Sequence, residues 1–172
     1  MTLFTVEEQR VLQLRAERLA KSTEAVVRVH QRFISFRRAS QTYLLPAAEV
    51  LGVRPLPSFT TLPGSPPHVV GLVHLNGHTV GVLDLERLSE PRVALPPTPW
   101  SVWVAEGAKS ALIVADEVLD LVDVDVERLA APLRGAFGGR LATLVRAVLP
   151  GPLVVLEAHS LLDSELFRPL ER

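Results

Sequence analysis

The chain has 172 residues, the size of one domain or of two small lobes that share a core. Its net charge of −1 lacks the basic excess typical of nucleic-acid-binding proteins. The absence of cysteine excludes disulfides, thiol catalysis and cysteine-ligated zinc. No signal peptide is recognised, and no apolar run approaches the ~18 residues needed to cross a bilayer. We therefore expect a globular cytoplasmic domain that neither inserts into membranes nor binds nucleic acid.

The first 28 residues carry the longest helical pattern of the chain. Thr5 can cap the N terminus, and two glutamates then fall in the first turn, where the helix dipole favours anions. Apolar residues follow at helical spacings from Val11 to Val26, and the remaining positions mix acids with bases. We predict an amphipathic helix over residues 5–28 that packs on its own domain or docks to a partner. The mixed charge disfavours a membrane anchor.

From residue 29 the pattern changes to the two-residue alternation of strands. β-branched and aromatic residues predict one strand over residues 29–36 and a second over Gln41–Leu45. Ala47–Leu51 predicts a short helical turn, and the proline-rich stretch Pro55–Pro67 predicts an irregular loop. The adjacent bases Arg37-Arg38 are interpreted as a solvated strand end.

The clearest hairpin pattern has two strands, Val69–Leu75 and His78–Leu83. They are separated by Asn76-Gly77, a pair typical of the two-residue turn in which both positions take positive φ. In this register Leu75 lies opposite His78, so His78 and His74 point to opposite faces of the hairpin. This arrangement disfavours metal binding by the two histidines.

The rest of the chain predicts further short elements. In chain order these are a helix over 84–88, a proline-rich connector over 91–99, a hairpin over 101–105 and 110–115, strands over 118–126, 144–149 and 153–156, and a closing helix over 158–166. The connector is the predicted boundary between two lobes. Strands at such spacing are typical of a barrel or sandwich. A weak internal repeat, in which residues 71–84 resemble residues 147–157, predicts two related small barrels.

No motif for enzymatic chemistry stands out. The phosphate-binding motifs GxxxxGK[ST] and GxGxxG and the nucleophile motif GxSxG are absent. The densest charged run, residues 116–127, places Asp116 and Asp120 on one strand face, which is typical of a solvated strand edge. The alternative is an enzyme or small-molecule-binding protein that uses this acidic stretch on a double-barrel scaffold. We predict no catalytic residue, no metal site and no cofactor.

An ordered set of motifs resembles the CheW-like domain, the adaptor module of bacterial chemosensory arrays. The stretches are LPGSPPHVVGLVHLNG at residues 62–77, VGVLDL at 80–85, ALIVADEV at 111–118, VRAV at 145–148 and LVVLE at 153–157. The resemblance covers about residues 30–166. Residues 10–21 are in addition similar to an arginine-rich leading helix found on some members.

The resemblance implies a mainly β fold of two intertwined five-stranded SH3-like barrels over residues 29–172. A helix over residues 1–28 precedes them, and a short C-terminal helix closes the chain. The resemblance implies no catalysis but an adaptor that bridges the regulatory domain of a CheA-type histidine kinase, which has the same fold, to chemoreceptor cytoplasmic tips. The implied partner-binding residues are Val73, His74, Leu75, Asn76, Gly77, Asp84 and Leu85.

Four positions depart from the pattern of the family. Asn76 stands where the family has Arg, His74 where it has Asn, Gly81 where it has Pro, and Glu157 where it has Asp. The Arg position meets receptors in typical members. We therefore expect a weakened or altered receptor contact at Asn76, with kinase binding through other barrel surfaces retained.

Overall fold

Residue 10 and residues 28–167 are described by the computed structural model, so the helix predicted over residues 5–28 lies outside the described residues except for its positions 10 and 28. The strands of the described part are β1 His30–Arg38, β2 Gln41–Pro46, β3 Val50–Pro55, β4 Val69–Leu75, β5 His78–Leu83, β6 Trp100–Glu106, β7 Lys109–Ala115, β8 Glu117–Asp125, β9 Val145–Leu149 and β10 Leu153–Leu156. The short α-helices are α1 Leu141–Leu144 and α2 Ala158–Leu161. The 3-10 helices are Ala47–Glu49, Leu85–Leu88, Val126–Arg128 and Ser164–Phe167.

Most predicted strands are present, but two predicted elements need correction. Val50–Pro55 is strand β3, although its first two residues are predicted in a helical turn and Pro55 in a loop. It forms a sheet edge, where proline is tolerated, so its glycine and proline do not prevent pairing with β6. The helix predicted over residues 158–166 is divided into α2 and a 3-10 helix. Asp163 Oδ1 accepts a hydrogen bond from the backbone N–H of Glu165 (3.1 Å) and so starts a separate turn.

The strands form two five-stranded sheets in the described part of the chain. One sheet has the order β8-β1-β2-β10-β9 and the other has the order β3-β6-β7-β5-β4. Each sheet contains one parallel pair, β2 with β10 and β5 with β7, and its other pairs are antiparallel. The two sheets therefore have the same strand arrangement, built from different parts of the chain.

The strand registers confirm the predicted internal repeat and extend it. Residues of β1, β2 and β3 have equivalents 68 positions later in β6, β7 and β8: Phe36 corresponds to Val104, Tyr43 to Ala111 and Val50 to Val118. Strands β1–β5 are thus one repeat and β6–β10 are the other. Each sheet takes the first two strands of one repeat and the last three of the other. The repeats exchange strands, which is the physical meaning of an intertwined fold.

In each sheet a backbone bridge joins one edge strand to the segment that follows the other edge strand, and this bridge closes the sheet into a barrel. In the sheet that contains β3, the chain beyond β3 returns to β4, where Thr60 and Leu72 exchange two N–H···O bonds of 2.8 Å each. In the other sheet Ala130 and Val148 do the same, with bonds of 3.0 and 2.8 Å. We call the barrel of β3–β7 the B barrel and the barrel of β1, β2 and β8–β10 the A barrel.

Three apolar clusters hold the barrels together. The interior of the A barrel includes Phe33 and Val155, and the interior of the B barrel includes Val82 and Leu112. The largest cluster takes buried residues from both sheets and forms a layer between the barrels. Many strands are therefore buried on both faces, which explains why apolar residues occupy consecutive positions along them.

The predicted lobe boundary near residues 91–99 needs correction. This proline-rich segment connects β5 to β6, which are two strands of the B barrel. The chain changes barrel at the 3-10 helix Ala47–Glu49 and again at Asp116. The segment 91–99 therefore marks the boundary between the two sequence repeats. It does not mark the boundary between the barrels, because each barrel contains strands of both repeats.

Candidate partner-binding site

The β4–β5 hairpin has the predicted geometry. Asn76 and Gly77 have φ values of 49° and 82°, as a two-residue turn with positive φ at both positions requires. The register places Leu75 opposite His78, which confirms that His74 and His78 lie on opposite faces. The side chains of His74 and Asn76 are exposed, and so is Gly77. These three of the predicted partner-binding residues are available to a partner.

Four other residues predicted to bind a partner are buried and cannot contact one directly. Val73 and Leu75 belong to the interior cluster of the B barrel. Leu85 belongs to the layer between the barrels. Asp84 is fully buried. Val73 and Leu75 are buried because every second residue of a strand points into the core, whereas Asp84 and Leu85 follow β5 at the junction between the barrels.

Asp84 is the centre of an ion pair that joins the two barrels. Arg38, at the end of β1, donates to both carboxylate oxygens of Asp84, at 2.9 Å from Nε and 2.8 Å from Nη2. Arg38 also donates to Asp116 Oδ1 (3.1 Å) and to the carbonyl oxygen of Ala94 (2.9 Å). The hydrogen bond to Asp84 raises the pKa of Arg38, although burial opposes this shift. The pair is bidentate and charge-assisted, the strongest kind of hydrogen-bonded contact.

Sequence reasoning missed Arg38, which was assigned to a solvated strand end together with Arg37. Arg37 is exposed and pairs with Glu117 (2.8 Å), but the side chain of Arg38 is only 4% exposed. Strand alternation could have separated the two residues. Arg38 lies two positions after Phe36, whose apolar side chain already marks the inward face.

A groove of about 880 Å³ lies beside the hairpin tip on the B barrel. Every strand of that barrel contributes to its lining, together with the C-terminal elements. Its walls include Leu51, Asn76, His78, Trp103, Lys109 and Phe167. The side chain of Leu51 is 59% exposed. Apolar walls with a few polar groups at the rim are typical of binding sites.

Each barrel has an apolar strip on an edge strand: Leu51 and Val53 on β3 of the B barrel, and Leu119 and Leu121 on β8 of the A barrel. Leu119 and Leu121 lie 68 positions after Leu51 and Val53, and all four are exposed. At this place β3 and β8 each contain one more residue than the strand with which they pair. The register shifts between Val50 and Gly52 of β3, and between the β8 residues that pair with Ile34 and Phe36 of β1. Such bulges change the direction of side chains. The two barrels therefore present the same edge-strand surface.

The C-terminal 3-10 helix Ser164–Phe167 forms one end of the groove. Leu166 is buried, and its carbonyl oxygen is hydrogen-bonded to Nε2 of the buried His68. Burial lowers the pKa of His68, and the positive charge of Arg140 acts in the same direction, while the bond to Leu166 opposes it. The ring of Phe167 then covers Gly81 on β5.

The acidic stretch 116–127 does not form a catalytic arrangement in the structure. Its carboxylates bind arginines or cap backbone groups: Asp116 binds Arg38, Glu117 binds Arg37, Asp123 binds Arg32, Asp120 accepts from the Leu121 N–H and Asp125 accepts from the Glu127 N–H. Among residue 10 and residues 28–167 no group of three or more His, Asp or Glu side chains could hold a metal ion. The five carboxylates named above therefore serve as ion-pair partners and backbone caps.

No helix within the described ranges is long and apolar enough to span a bilayer. A search of curated proteins finds no match. Among solved structures the chain is similar to the scaffolding protein TtCheW from Thermoanaerobacter tengcongensis, with 18% sequence identity and a TM-score of 0.69. The superposition covers 83% of this chain and 93% of that one, which establishes the two-barrel fold.

The family comparison covers most of the residues that build both barrels. The family model of the CheW-like domain matches residues 32–166, which extend from β1 to the C-terminal 3-10 helix. The match includes the hairpin tip, the residues that line the groove except Phe167, and both apolar strips. This chain is therefore a member of the CheW-like domain family.

Proposed function

We propose that the chain is a non-catalytic cytoplasmic adaptor in a bacterial chemosensory system. It joins the regulatory domain of a CheA-type histidine kinase to the cytoplasmic tips of chemoreceptors. The observation that carries the proposal is the family match over residues 32–166, combined with exposed apolar surface on both barrels. Exposed apolar surface of this kind marks protein–protein contact sites.

We assign the receptor tip to the groove of the B barrel. The groove combines the exposed hairpin residue Asn76 with the apolar side chains of Leu51 and Trp103. A helical receptor tip can place an apolar face on such walls and its polar side chains on the rim. Because Asn76 lacks the charge and the fork of donors of the family arginine, we expect this contact to be weaker than in typical members.

We assign the kinase to the strip of the A barrel. Leu119 and Leu121 project from β8 on the barrel that does not carry the groove. The kinase regulatory domain is expected to have the same fold, so it can present an apolar barrel surface of the same kind. Separate surfaces for the two partners are what an adaptor needs, since both must bind at the same time.

A matched pair of variants tests this assignment by calorimetry. Each of Leu51→Glu and Leu121→Glu places one charge on one strip, and the exposed Leu133→Glu serves as control. Wild type should bind each partner with micromolar affinity, about −8 kcal/mol. We expect Leu51→Glu to weaken receptor binding about 10-fold and Leu121→Glu to weaken kinase binding to a similar degree, because each buries an uncompensated charge. Equal losses for both partners in both variants would contradict the assignment.

A further inference from the structure

The strip on β8 continues the apolar layer between the barrels out to the surface. Leu119 and Leu121 are 46% and 55% exposed, and Leu121 lies opposite the half-buried Ile34 of β1. Residues that lie opposite each other on paired strands project from the same face of the sheet. Two positions along β1 on that face is Phe36, which is fully buried in the layer between the barrels. The strip can therefore extend this layer if another apolar face packs on it.

The chain enters the A barrel at the end of the strand that carries the strip. The carbonyl oxygen of Val29 accepts a hydrogen bond from the Val126 N–H (3.0 Å), and His30 then pairs with Asp125, the last residue of β8. The guanidinium of Arg28 lies 4.0 Å from the Asp125 carboxylate. The N-terminal segment that precedes Arg28 is therefore attached to the barrel within a few residues of the strip.

The spacing of the apolar residues in the N-terminal segment matches that of the strip. In the helix predicted over residues 5–28, Leu12 and Leu19 share one face, because seven residues make about two turns. They lie about 24 and 14 Å along the helix axis from its last residue, at about 1.5 Å per residue. The two leucines of the strip lie about 20 and 13 Å along β8 from Asp125, at about 3.3 Å per residue. A helix that folds back along β8 therefore places Leu12 and Leu19 level with these two leucines.

We propose that the N-terminal segment folds back as a helix on β8 and covers the apolar strip, so that the kinase must displace it to bind. The docking of the helix is argued from the exposed strip, the attachment point and the spacing alone, and only its effect on the kinase rests on the proposed function. A segment attached beside its own binding surface competes at a high effective concentration. The groove of the B barrel is not covered, so receptor binding is independent of this segment.

Disulfide trapping in the full-length chain tests the docking, because the chain has no cysteine of its own. Under mild oxidation the variant Leu19→Cys/Leu121→Cys should form an intramolecular disulfide, which mass spectrometry detects. Two matched controls should form about 5-fold less. In Lys21→Cys/Leu121→Cys the first thiol lies on the opposite face of the helix. In Leu19→Cys/Val53→Cys the second thiol lies at the equivalent, also exposed, position of the B barrel. Equal trapping in all three variants, no trapping in the first, or a disulfide-linked dimer would overturn the proposal.

Calorimetry on the oxidised and reduced forms of Leu19→Cys/Leu121→Cys tests the competition. The oxidised form should bind the kinase regulatory domain about 10-fold more weakly than the reduced form, because the locked helix can no longer be displaced. Binding of the receptor tip should agree within about 2-fold in the two forms. A selective disulfide that leaves kinase binding unchanged would overturn the competition, and with it the assignment of the kinase to this strip, while it would support the docking of the helix.

Discussion

The two ends of the junction between the barrels have equivalent backbones but opposite electrostatics. At one end Arg38 of β1 and Asp84, just after β5, form a buried ion pair. The equivalent positions at the other end are Glu106 and Glu157, each 68 or 73 positions later, and both are acidic. Glu106 contacts His159 (3.2 Å) and Glu157 contacts Arg146 (3.6 Å), with all four side chains at least one-third exposed.

This difference shows that the repeated fold does not itself require a buried ion pair. Two carboxylates cannot share a dry site, because neither would have a compensating charge. At the acidic end the side chains of Glu106 and Glu157 therefore remain exposed to solvent. Glu157 precedes α2 without capping it, and Glu49 instead accepts a hydrogen bond from the Ala158 N–H (2.6 Å). At the other end Arg38 also ties the segment 91–99 to the junction through Ala94. The ion pair is thus specific to the end where the connector must be held.

The largest expected effect comes from breaking the buried ion pair. Arg38→Ala leaves the buried Asp84 with only the longer contact to Arg87 (3.5 Å) and should lower the free energy of unfolding by about 3–5 kcal/mol. Glu106→Ala, at the equivalent exposed position, should change it by no more than about 0.5 kcal/mol. Urea unfolding measures both. The double variant Arg38→Met/Asp84→Leu should regain at least half of the loss, and equal effects of the two alanine variants would refute the difference between the ends.

A second comparison concerns the bridges that close the barrels. A Cβ at Gly71 would lie 2.4 Å from the carbonyl oxygen of Thr60, whereas the equivalent position of the A barrel is Ala147, which carries a Cβ. Gly71→Ala should therefore destabilise the chain by about 1–3 kcal/mol through overpacking. Ala147→Gly should cost about 0.5–1 kcal/mol through backbone entropy. Thermal and urea unfolding provide the test, and a neutral Gly71→Ala would show that the bridge can move apart without cost.

The next effect depends on pH and on the buried His68. Its pKa is lowered by burial, so the unfolded chain binds its proton at higher pH than the folded chain. The contribution of the neutral ring is complete above the unfolded pKa of about 6.5 and is lost as the pH falls below it. Wild type should therefore lose more thermal stability between pH 7.5 and 5.5 than His68→Gln does. The exposed His78→Gln is the control, and an identical pH dependence in His68→Gln and wild type would contradict this role.

The smallest expected effect is that of Asn76→Arg at the hairpin tip. The turn requires a φ of 49° at this position, which Arg adopts less readily than Asn, so stability should fall by up to about 1 kcal/mol. Restoring the family arginine should strengthen receptor binding by about 1 kcal/mol or more, as a charge-assisted hydrogen bond can. Kinase binding should not change. Calorimetry with both partners decides the matter, and an unchanged receptor affinity would leave Asn76 with a role in the turn only.

Local patterns predicted those parts of the fold that depend on neighbouring residues. The Asn76-Gly77 turn and its two strands follow from alternation and from the need for positive φ. The repeat between residues 71–84 and 147–157 was also visible in the sequence, and the registers confirm it. The exchange of strands between repeats was not derivable from it, because a repeat in sequence does not say which copy a strand pairs with.

Burial was the part of the site that the sequence could not predict. Alternation groups Val73 with Leu75 and separates them from His74, but both faces of many strands here are covered, one by a barrel interior and one by the other barrel. A motif taken from family resemblance therefore mixed exposed with buried residues. Asp84 belongs to the same motif, and its pairing with Arg38 and Arg87 explains why a carboxylate is buried there.

We propose that the chain holds two partners at once on separate barrels. Titration calorimetry tests it directly, with the receptor tip added to the protein alone and then to the protein saturated with the kinase regulatory domain. We expect micromolar binding of each partner and receptor affinities that agree within about 2-fold in the two titrations, because the groove and the β8 strip lie on different barrels. Loss of receptor binding in the presence of the kinase domain, or no binding of either partner, would contradict it.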